Sequence, residues 1–471
     1  MKKRMIAILL TMVLALSLPL GALAEDGPKG EPPQGMGQPP EGMGQPPEGG
    51  KPGEPPEGGM PGGMPGGGSQ DFEYAAATEI AEATETADES YTSATADESA
   101  LIIDTDGAVT IAGPTVTKTG DSDGGDSCNF YGLNAAVLVM GGSTATITGG
   151  TISSDADGAN GVFSYGGNGG RNGAEGDGTT VIISDTAITT IGDGSGGIMT
   201  TGGGVTIASN LTIETSGRSS AAIRTDRGGG TVTVDGGSYT TNGLGSPAIY
   251  STADITVSNA TLTSNLSEGV CIEGKNSITL NNCDMTASNT QCNGNATFLD
   301  TIMIYQSMSG DADSGTSSFT MNGGSLTSLN GHMFHVTNTN AIINLDGVAL
   351  NNEDEANVLL SVCDDGWRGA GNIATLNASN QSLNGAILVG DNASLTLNLT
   401  GSAFEGSISG AIENSRGETV STEVGSVSVT LDENSTWTLT ADTYITEFNG
   451  DPASINLNGY TLYVNGQALT A

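Results

Sequence analysis

Positive charge and aromatic rings are scarce in this chain of 471 residues. It contains 13 Lys and Arg against 53 Asp and Glu, a formal net charge of −40, and only two His. Such an acidic surface makes nucleic acid and anionic membranes poor partners, so we expect neither. Aromatic residues make up 4 % of the chain. We therefore expect a narrow core of Val, Ile, Leu and Thr, with few large rings.

Long apolar runs are also rare. One lies near the N-terminus, and no later run is long enough to span a bilayer. Lys2, Lys3 and Arg4 precede an apolar run from Met5 to Leu20, and the small residues around Ala24 suit a cleavage site. This pattern predicts a signal peptide over residues 1–24. We expect a secreted or cell-surface protein, without membrane insertion, of a Gram-positive anaerobe.

The sequence shows no complete catalytic or metal-binding motif. The five Cys have no metal-ligand spacing, and no nucleotide or cofactor fingerprint and no Ser/His/Asp set is recognisable. His332 and His335 stand three residues apart in an extended run, so we expect their rings to point to opposite faces of a strand. These absences favour a protein without catalytic activity.

What the chain does contain is a repeated phrase of two apolar triplets separated by a turn residue. One copy is Val232-Thr233-Val234-Asp235-Gly236-Gly237-Ser238-Tyr239-Thr240. Copies begin at residues 109, 145, 181, 205, 232, 255, 278, 319, 343, 374, 395, 429 and 455. A repeat of this length cannot bury an apolar face alone and must stack on its neighbours.

The fifth position of the phrase is a Gly, Asn or Asp in most copies. These residue types tolerate positive φ and can make a sharp corner between two short strands. The positions concerned are Gly113, Gly149, Asp185, Gly236, Asn259, Asn282, Gly323, Gly347 and Gly459. The exceptions are Ser209, Ala378, Leu399 and Glu433.

A third extended run follows the phrase in most copies, as in Ala248-Ile249-Tyr250-Ser251. Three strands per repeat, each pairing only with its counterparts in neighbouring repeats, define a β-helix. We predict an all-β fold, a right-handed single-stranded parallel β-helix of about 13 coils with three strands per coil.

These residues resemble the right-handed parallel β-helix of the pectin-lyase-like superfamily, including an Asn ladder at one corner. Two stretches, Gly197 to Gly204 and Thr443 to Gly466, are similar to adhesin-like secreted β-helix proteins of gut clostridia. The resemblance implies the fold over about residues 100–471. It implies little about activity, because one fold serves lyases, hydrolases and binding proteins.

The remaining segments differ in composition. Residues 25–70 are rich in Pro, Gly, Gln, Glu and Met and predict a disordered tether. Residues 71–100 are acidic and rich in Ala, Thr and Glu, and we interpret them as a partly ordered lead-in. The β-helix is predicted to occupy residues 101–471.

The outward side of the third strand is the candidate site. Strand alternation predicts an outward column that includes Phe163, Arg224 and Tyr250, and a second one that includes Tyr165, Asp226, Glu273 and Tyr305. Rings and scarce cations together suit a sugar acid or another anionic glycan. The predicted ligand-binding residues are Phe163, Tyr165, Arg224, Asp226, Arg227, Tyr250, Glu273, Lys275 and Tyr305, with Arg171 and Arg218 nearby. The alternative is that loop insertions cover this face and that the cations pair with Asp226 and Glu273.

Acidic loops offer a second kind of site. Carboxylate oxygens at high density are ligands that Ca²⁺ prefers. The predicted calcium ligands are Asp121, Asp123, Asp126, Asp155 and Asp157. Asp-Gly turns without a metal are the competing explanation.

Three functions therefore stay open from sequence. The first is a secreted, non-catalytic, adhesin-like protein that binds an extracellular glycan or a host or bacterial surface ligand through the third-strand face. The second is a calcium-dependent lyase of the pectate type, with Arg224 or Lys275 as base and Asp226 and Glu273 as metal ligands. The third is a structural spacer, which would neither bind nor turn over a ligand.

Overall fold

The computed structural model describes residues 73–169 and 175–469. The predicted signal peptide (1–24), the tether (25–70) and Arg171 lie outside the described residues. Within them, no helix is both long and apolar enough to cross a membrane. Nearly all regular structure is β-strand.

Three strands per coil form three faces that run along the molecule. Face 1 contains the first strand of each repeated phrase, face 2 the second and face 3 the third run. Face 3 is one sheet of 13 strands. Its strands are Ala75–Ile80, Glu98–Asp104, Val137–Met140, Val162–Tyr165, Ile198–Thr201, Ile223–Thr225, Ile249–Ser251, Val270–Glu273, Asp300–Tyr305, His332–Thr337, Val358–Val362, Ala386–Val389 and Ile408–Ser409.

Faces 1 and 2 join where two strands continue without a break around the corner, Gly204–Thr215 and Gly230–Thr241. The other strands of face 1 are Thr84–Ala87, Ala108–Ala112, Thr144–Thr148, Thr180–Ser184, Asp254–Ser258, Ser277–Asn281, Thr316–Asn322, Thr339–Asp346, Asn372–Ser379, Ala393–Thr400, Ser426–Leu431 and Glu447–Asn449. The other strands of face 2 are Ser90–Ser93, Thr115–Thr119, Thr151–Asp155, Ala187–Thr190, Thr261–Ser264, Asp284–Ser288, Ser325–Asn330, Ala349–Asn352, Ser382–Asn384, Ala403–Glu405, Thr436–Thr438 and Ile455–Asn456.

Few elements lie outside the three faces. A short α-helix, Asp126–Tyr131, lies on the outer side of face 3, and a 3₁₀ turn spans Pro452–Ser454. The remaining strands, all near the C-terminal end, are Ile412–Glu413, Thr419–Ser421, Thr443–Ile445, Leu462–Val464 and Gln467–Ala468.

The strands of the three faces pair in parallel with strands of neighbouring coils, and the ladder is interrupted on face 2 between Ala349–Asn352 and Ser382–Asn384. The column at the centre of face 1 shows the register, because Thr233 pairs with Thr256 and Thr256 with Thr279. The predicted parallel β-helix with three strands per coil is confirmed. Antiparallel pairing occurs between Ile412–Glu413 and Thr419–Ser421 and between Leu462–Val464 and Gln467–Ala468.

The corners follow the predicted rule. All nine Gly, Asn and Asp residues at the fifth position of the phrase have positive φ, from 51° at Asn282 to 87° at Gly459. In three of the four exceptional copies the first strand is longer, and the left-handed residue comes later, at Asn210, Asn380 and Gly401. The corner is therefore retained but displaced along the sequence.

The ends of the described β-helix differ from the sequence-based expectation. Ala75–Ile80 pairs in parallel with Glu98–Asp104, so most of the acidic lead-in forms a full coil. At the other end, Ile455–Asn456 pairs with Thr436–Thr438 on face 2, although the phrase beginning at 455 predicted a face 1 strand. Leu462–Val464 pairs with Thr443–Ile445 beside the last coils, as a terminal strand should.

The inner sides of the three faces enclose one continuous apolar core. Inward residues from successive coils stack on their own kind, as Val232, Ile255 and Ile278 do on face 1, each at most 1 % exposed. Stacking similar side chains at the strand spacing of about 4.8 Å fills most of this core with aliphatic residues, and a few rings such as Phe334 and Trp437 complete it.

Candidate functional site

The outer side of face 3 carries the two predicted columns in the predicted register. Arg224 pairs with Met199 on one side and with Tyr250 on the other, and Tyr250 pairs with Cys271. Glu273 pairs with Tyr305 in the second column. Strand alternation therefore predicted which side chains share this surface.

Most of this surface is covered. We call the covering segments the outer layer; they are the helix Asp126–Tyr131 and the segments 289–299, 306–315, 364–371 and 410–424. Beneath them, Phe163 is 0 % exposed, Met303 3 % and Tyr305 9 %. Phe163 packs with Ile102, Leu138 and Met199 in an apolar cluster separate from the main core.

Phe163 and Tyr165 belong to this covered region near the helix. Tyr165 meets the ring of Tyr131 edge to face, with centroids 5.9 Å apart. Burial raises the pKa of Tyr165 above its ordinary value, which keeps the phenol neutral. The two predicted residues thus pack the outer layer against the rod, two coil steps from Arg224. Arg227 connects the two regions, because its guanidinium lies 4.0 Å from the centre of the Phe130 ring in the same helix.

The remaining predicted residues meet near the middle of the rod. Tyr250 donates a hydrogen bond to Glu273 at 2.6 Å, and Tyr305 donates to the same carboxylate oxygen at 3.2 Å. Burial raises the pKa of both phenols well above the ordinary value, so both stay protonated as donors. Glu273, 2 % exposed, is fixed between the two rings.

The three cations among the predicted ligand-binding residues each have an acidic partner. Arg224 contacts Asp226 at 2.7 Å, Arg227 contacts Asp311 at 2.6 Å, and the half-exposed Lys275 contacts Asp313 at 2.6 Å. Of the partners that the alternative interpretation named, Asp226 pairs with Arg224, whereas Glu273 accepts from Tyr250 and Tyr305 and pairs with no cation. The other two partners, Asp311 and Asp313, belong to the segment 306–315.

Asp226 is a buried carboxyl held beside a guanidinium. Burial raises its pKa to about 6, although the neighbouring Arg224 acts in the opposite direction. Arg224 also donates to the backbone oxygen of Ser219 at 3.0 Å, and its guanidinium lies 5.5 Å from the centre of the Tyr250 ring. The arginine is therefore held in place on several sides.

Beside Arg224 and Tyr250 the outer layer leaves an opening, which we call the central cleft. It consists of two adjoining cavities of about 170 and 180 Å³. The residues that define it are Arg224, Pro247, Tyr250, Asn293, Tyr305 and Trp367. Glu268 and Cys271 lie at its floor.

Sequence reasoning missed Trp367 and Asn293, which line this cleft. Trp367 packs on Tyr305 with ring centroids 4.8 Å apart, and Asn293 accepts a hydrogen bond from Arg218 at 2.9 Å. Both residues lie in non-repeating segments, so no periodicity assigns them a direction. The available signal was the placement of one of the two Trp in a long insertion after Val362.

The structure also assembles a Ser/His/Asp set that the sequence did not reveal. His335 Nδ1 lies 2.7 Å from Ser361 Oγ, and its Nε2 lies 3.4 Å from Asp365 Oδ2. His332 Nδ1 lies 2.7 Å from the same hydroxyl. The prediction that the two histidines point to opposite faces is wrong.

The reason is a break in side-chain alternation near the start of the strand His332–Thr337. Met333 and Phe334 are consecutive, and both belong to the main core. His332 and His335, which flank them, therefore lie together on the outer side. Simple alternation fails wherever two neighbouring residues of one strand both turn inward.

This Ser/His/Asp set is sealed from solvent. The side chains of His335 and Asp365 are 0 % exposed, Ser361 is 0 % exposed, and Phe298 stacks on His335 with centroids 4.7 Å apart. Burial lowers the pKa of His332 to about 3, so that ring is neutral near neutral pH. A serine with no route for substrate acts as a hydrogen-bonding partner of the two rings.

Asp365 links three segments of the outer layer. It accepts hydrogen bonds of 2.7 Å from both the backbone nitrogen and the hydroxyl of Thr297. The backbone oxygen of Thr297 in turn accepts from the nitrogen of Ser415 at 2.9 Å. The His335 contact completes the attachment of this layer to face 3.

The five aspartates predicted to bind calcium are exposed. Two of them accept hydrogen bonds from the backbone of the neighbouring coil. Asp121 accepts from the backbone nitrogen of Asp157 at 2.9 Å, and Asp157 accepts from that of Asp193 at 2.8 Å. Across residues 73–169 and 175–469, no three His, Cys, Asp or Glu side chains come together as a metal site. The five cysteines are all free thiols.

Comparisons with known proteins add no relative. No protein-family model, no curated protein and no solved structure matches this chain. The class of the protein is therefore that of its fold, a parallel β-helix, and the resemblance to the pectin-lyase-like superfamily stays a prediction.

Proposed function

We propose that this protein is a secreted, non-catalytic, adhesin-like β-helix that binds an extracellular carbohydrate in the central cleft. The observation that carries the proposal is the grouping of Tyr250, Tyr305 and Trp367 with the polar Arg224 and Asn293 around one opening. Aromatic faces beside a few fixed polar groups are typical of small-ligand sites.

The charge of the cleft favours a neutral sugar over a sugar acid. Asp226 neutralises Arg224 across 2.7 Å, and Glu268 lies at the floor of the same opening. An anionic ligand would meet these carboxylates, and the exposed Arg218 beside the cleft is engaged by a hydrogen bond of 2.9 Å to Asn293. Hydroxyl groups of a neutral sugar can instead exchange hydrogen bonds with Asn293 and the exposed edge of the arginine.

The size of the cleft favours a compact ligand. Two cavities of about 170 and 180 Å³ joined at Pro247 and Tyr250 suit the end or a branch of a glycan. A long polysaccharide would need an open groove along several coils, and the outer layer interrupts face 3 on both sides. The cleft therefore suits recognition of the end of a glycan chain.

The lyase and spacer hypotheses receive less support. A lyase would use Arg224 or Lys275 as base and Asp226 and Glu273 as metal ligands. Arg224 is paired with Asp226 at 2.7 Å, Lys275 with Asp313 at 2.6 Å, and Glu273 accepts from Tyr250 and Tyr305. A spacer would need no opening lined by rings. Neither alternative explains why the outer layer leaves Trp367 at the edge of a cleft.

A glycan array probed with the mature full-length chain tests the proposal. We expect neutral glycans to be bound, and we expect Trp367→Ala to weaken binding at least tenfold while Trp367→Phe retains most of it, because the ring supplies the contact. Ile182→Ala is the matched control, since this side chain is 37 % exposed on face 1. Binding that survives Trp367→Ala would contradict the central cleft, and no binding at all would favour the spacer.

A further inference from the structure

A second opening lies at the C-terminal end of the outer side of face 3. It has a cavity volume of about 490 Å³ and is lined by Ser409, Gly410, Thr422, Glu423, Val424 and Tyr444. We call it the terminal groove. It shares no residue with the central cleft.

One wall of the groove is an exposed aromatic ring held in a fixed orientation. Tyr444 is 44 % exposed, whereas most large apolar side chains on this side of the rod are covered. The ring of Tyr463 stacks beneath it, with centroids 4.8 Å apart and planes 5° from parallel. The two tyrosines are paired in neighbouring parallel strands, so the backbone maintains the stack. A ring fixed in advance loses little conformational entropy on binding.

The opposite wall is equally well anchored. It is the end of the antiparallel pair Ile412–Glu413 and Thr419–Ser421. Ile412, 1 % exposed, packs against Phe298 and Cys363. The hydroxyl of Ser421 accepts from the backbone nitrogen of Asp391 at 3.0 Å and donates to the backbone oxygen of Glu423 at 3.0 Å. The groove thus has two rigid sides.

The chemistry of the lining selects a neutral, hydroxyl-rich ligand. Ser409 and Thr422 supply hydroxyls, and Glu423 supplies an exposed carboxylate acceptor. No Lys or Arg lines the groove, so an anionic ligand would find no counter-charge. A flat ring offers an apolar platform for the C–H face of a sugar, while the hydroxyls reach the polar rim.

We propose that the terminal groove is a second carbohydrate site, which binds a neutral saccharide against Tyr444. The site is independent of the central cleft. Six coil steps along face 3 separate the strand of Tyr250 from Ile408–Ser409, and the strand of Tyr444 lies one step further, where Thr443 accepts a hydrogen bond from the nitrogen of Ile408. The two sites are therefore roughly 34 Å apart at the strand spacing of ~4.8 Å. Two sites on one side of a rigid rod allow one glycan chain or one glycan-covered surface to be bound at two points, which raises the overall affinity.

Calorimetric titration of the mature full-length chain tests this proposal. The probes are neutral cello-, manno- and xylo-oligosaccharides, with galacturonate oligomers as acidic comparators. We expect a neutral oligosaccharide to bind Trp367→Ala protein with one site remaining, and we expect Tyr444→Ala to weaken that remaining site at least tenfold. Tyr444→Phe should retain it, because the ring face makes the contact.

Tyr460→Ala is the matched control, because Tyr460 is 42 % exposed near the same end and does not line the groove. If Tyr444→Ala leaves every titration unchanged, or only acidic oligomers bind in a Tyr444-dependent way, the terminal groove is refuted. If Trp367→Ala has no effect while Tyr444→Ala does, the central cleft fails and the terminal groove stands. Circular dichroism and thermal melting establish that each variant is folded.

Discussion

In most coils the inner side of face 3 carries a β-branched residue, whereas its outer side changes character along the rod. Ile198, Ile223 and Ile249 are stacked inside. Their outward neighbours are Met199, Arg224 and Tyr250. The inner side has the same task in every coil, which is to fill the core, and the outer side has a different covering segment at each level. The repeat therefore builds the rod, and the insertions build the sites.

The largest expected difference between the two sides concerns their contribution to global stability. Phe334 is fully buried in the main core against Phe319, and Phe298 is almost as buried in the outer layer. We expect Phe334→Ala to lower the free energy of unfolding by about 3–5 kcal/mol, because a cavity opens in a continuous core. Denaturant titration measures this loss.

Phe298→Ala serves as the comparison. We expect it to release mainly the outer layer, with faster amide exchange in segments 289–299 and 364–371 and a smaller change in global stability. Equal loss of global stability in the two variants would show that the outer layer and the rod fold as one unit.

Buried charge on the outer side should give a pH-dependent stability. Burial raises the pKa of folded Asp226 to about 6, against 3.8 for the unfolded chain. Between about pH 4 and 6 the folded state keeps a proton that the unfolded state has lost, so the stability contributed by this group falls as pH rises through that window. In wild type this group should lower the free energy of unfolding by on the order of 2 to 3 kcal/mol between about pH 4 and 6, and we expect Asp226→Asn to abolish that change.

The measurement is the midpoint of denaturation for wild type and Asp226→Asn at several pH values. His332 acts in the opposite sense, since burial lowers its pKa to about 3 and protonation below its unfolded value of 6.5 opposes folding. The difference between the two proteins isolates Asp226. If the denaturation midpoints of wild type and Asp226→Asn changed in parallel with pH, the raised pKa of Asp226 would be contradicted.

The sealed Ser/His/Asp set should behave as structure. Ser361→Ala removes the partner that both histidine rings share, and we expect a loss of about 1–3 kcal/mol from the unpaired nitrogens. Unfolding of the variant by urea measures the loss. We also expect no labelling of wild-type protein by a fluorophosphonate, and covalent labelling at Ser361 would instead reveal an accessible nucleophile.

Corner residues should show the smallest effect. Gly347 has φ of 62°, and a Cβ there would meet no atom within 4 Å. Gly347→Ala isolates the cost of the left-handed conformation, which we expect to be about 1 kcal/mol. Thr233→Ala, on the exposed side of face 1, is the control and should change stability by less than about 0.5 kcal/mol. Thermal melting compares the two variants. A melting temperature of Gly347→Ala equal to that of wild type would mean that the backbone relaxes at this corner.

The sequence predicted the repeated parts of this protein and missed the parts that occur once. Corner positions such as Asn259 and outward positions such as Tyr250 followed from the phrase, because each repeats at a fixed offset. Trp367 and Tyr444 did not, because an insertion and a chain end have no neighbouring copy to set their direction. The pairing of Arg224 with Asp226 was foreseen as the alternative to an anionic ligand site.

Fluorescence titration of Trp437→Phe protein tests the central claim most directly. The chain has two Trp, and Trp437 is buried on Phe404 in the core, so the variant leaves Trp367 as the reporter of the central cleft. The account predicts a saturable change in emission with a neutral oligosaccharide near pH 7 and a weaker response to galacturonate oligomers. An emission that no neutral saccharide alters, or that responds more strongly to the acidic oligomers, would contradict it.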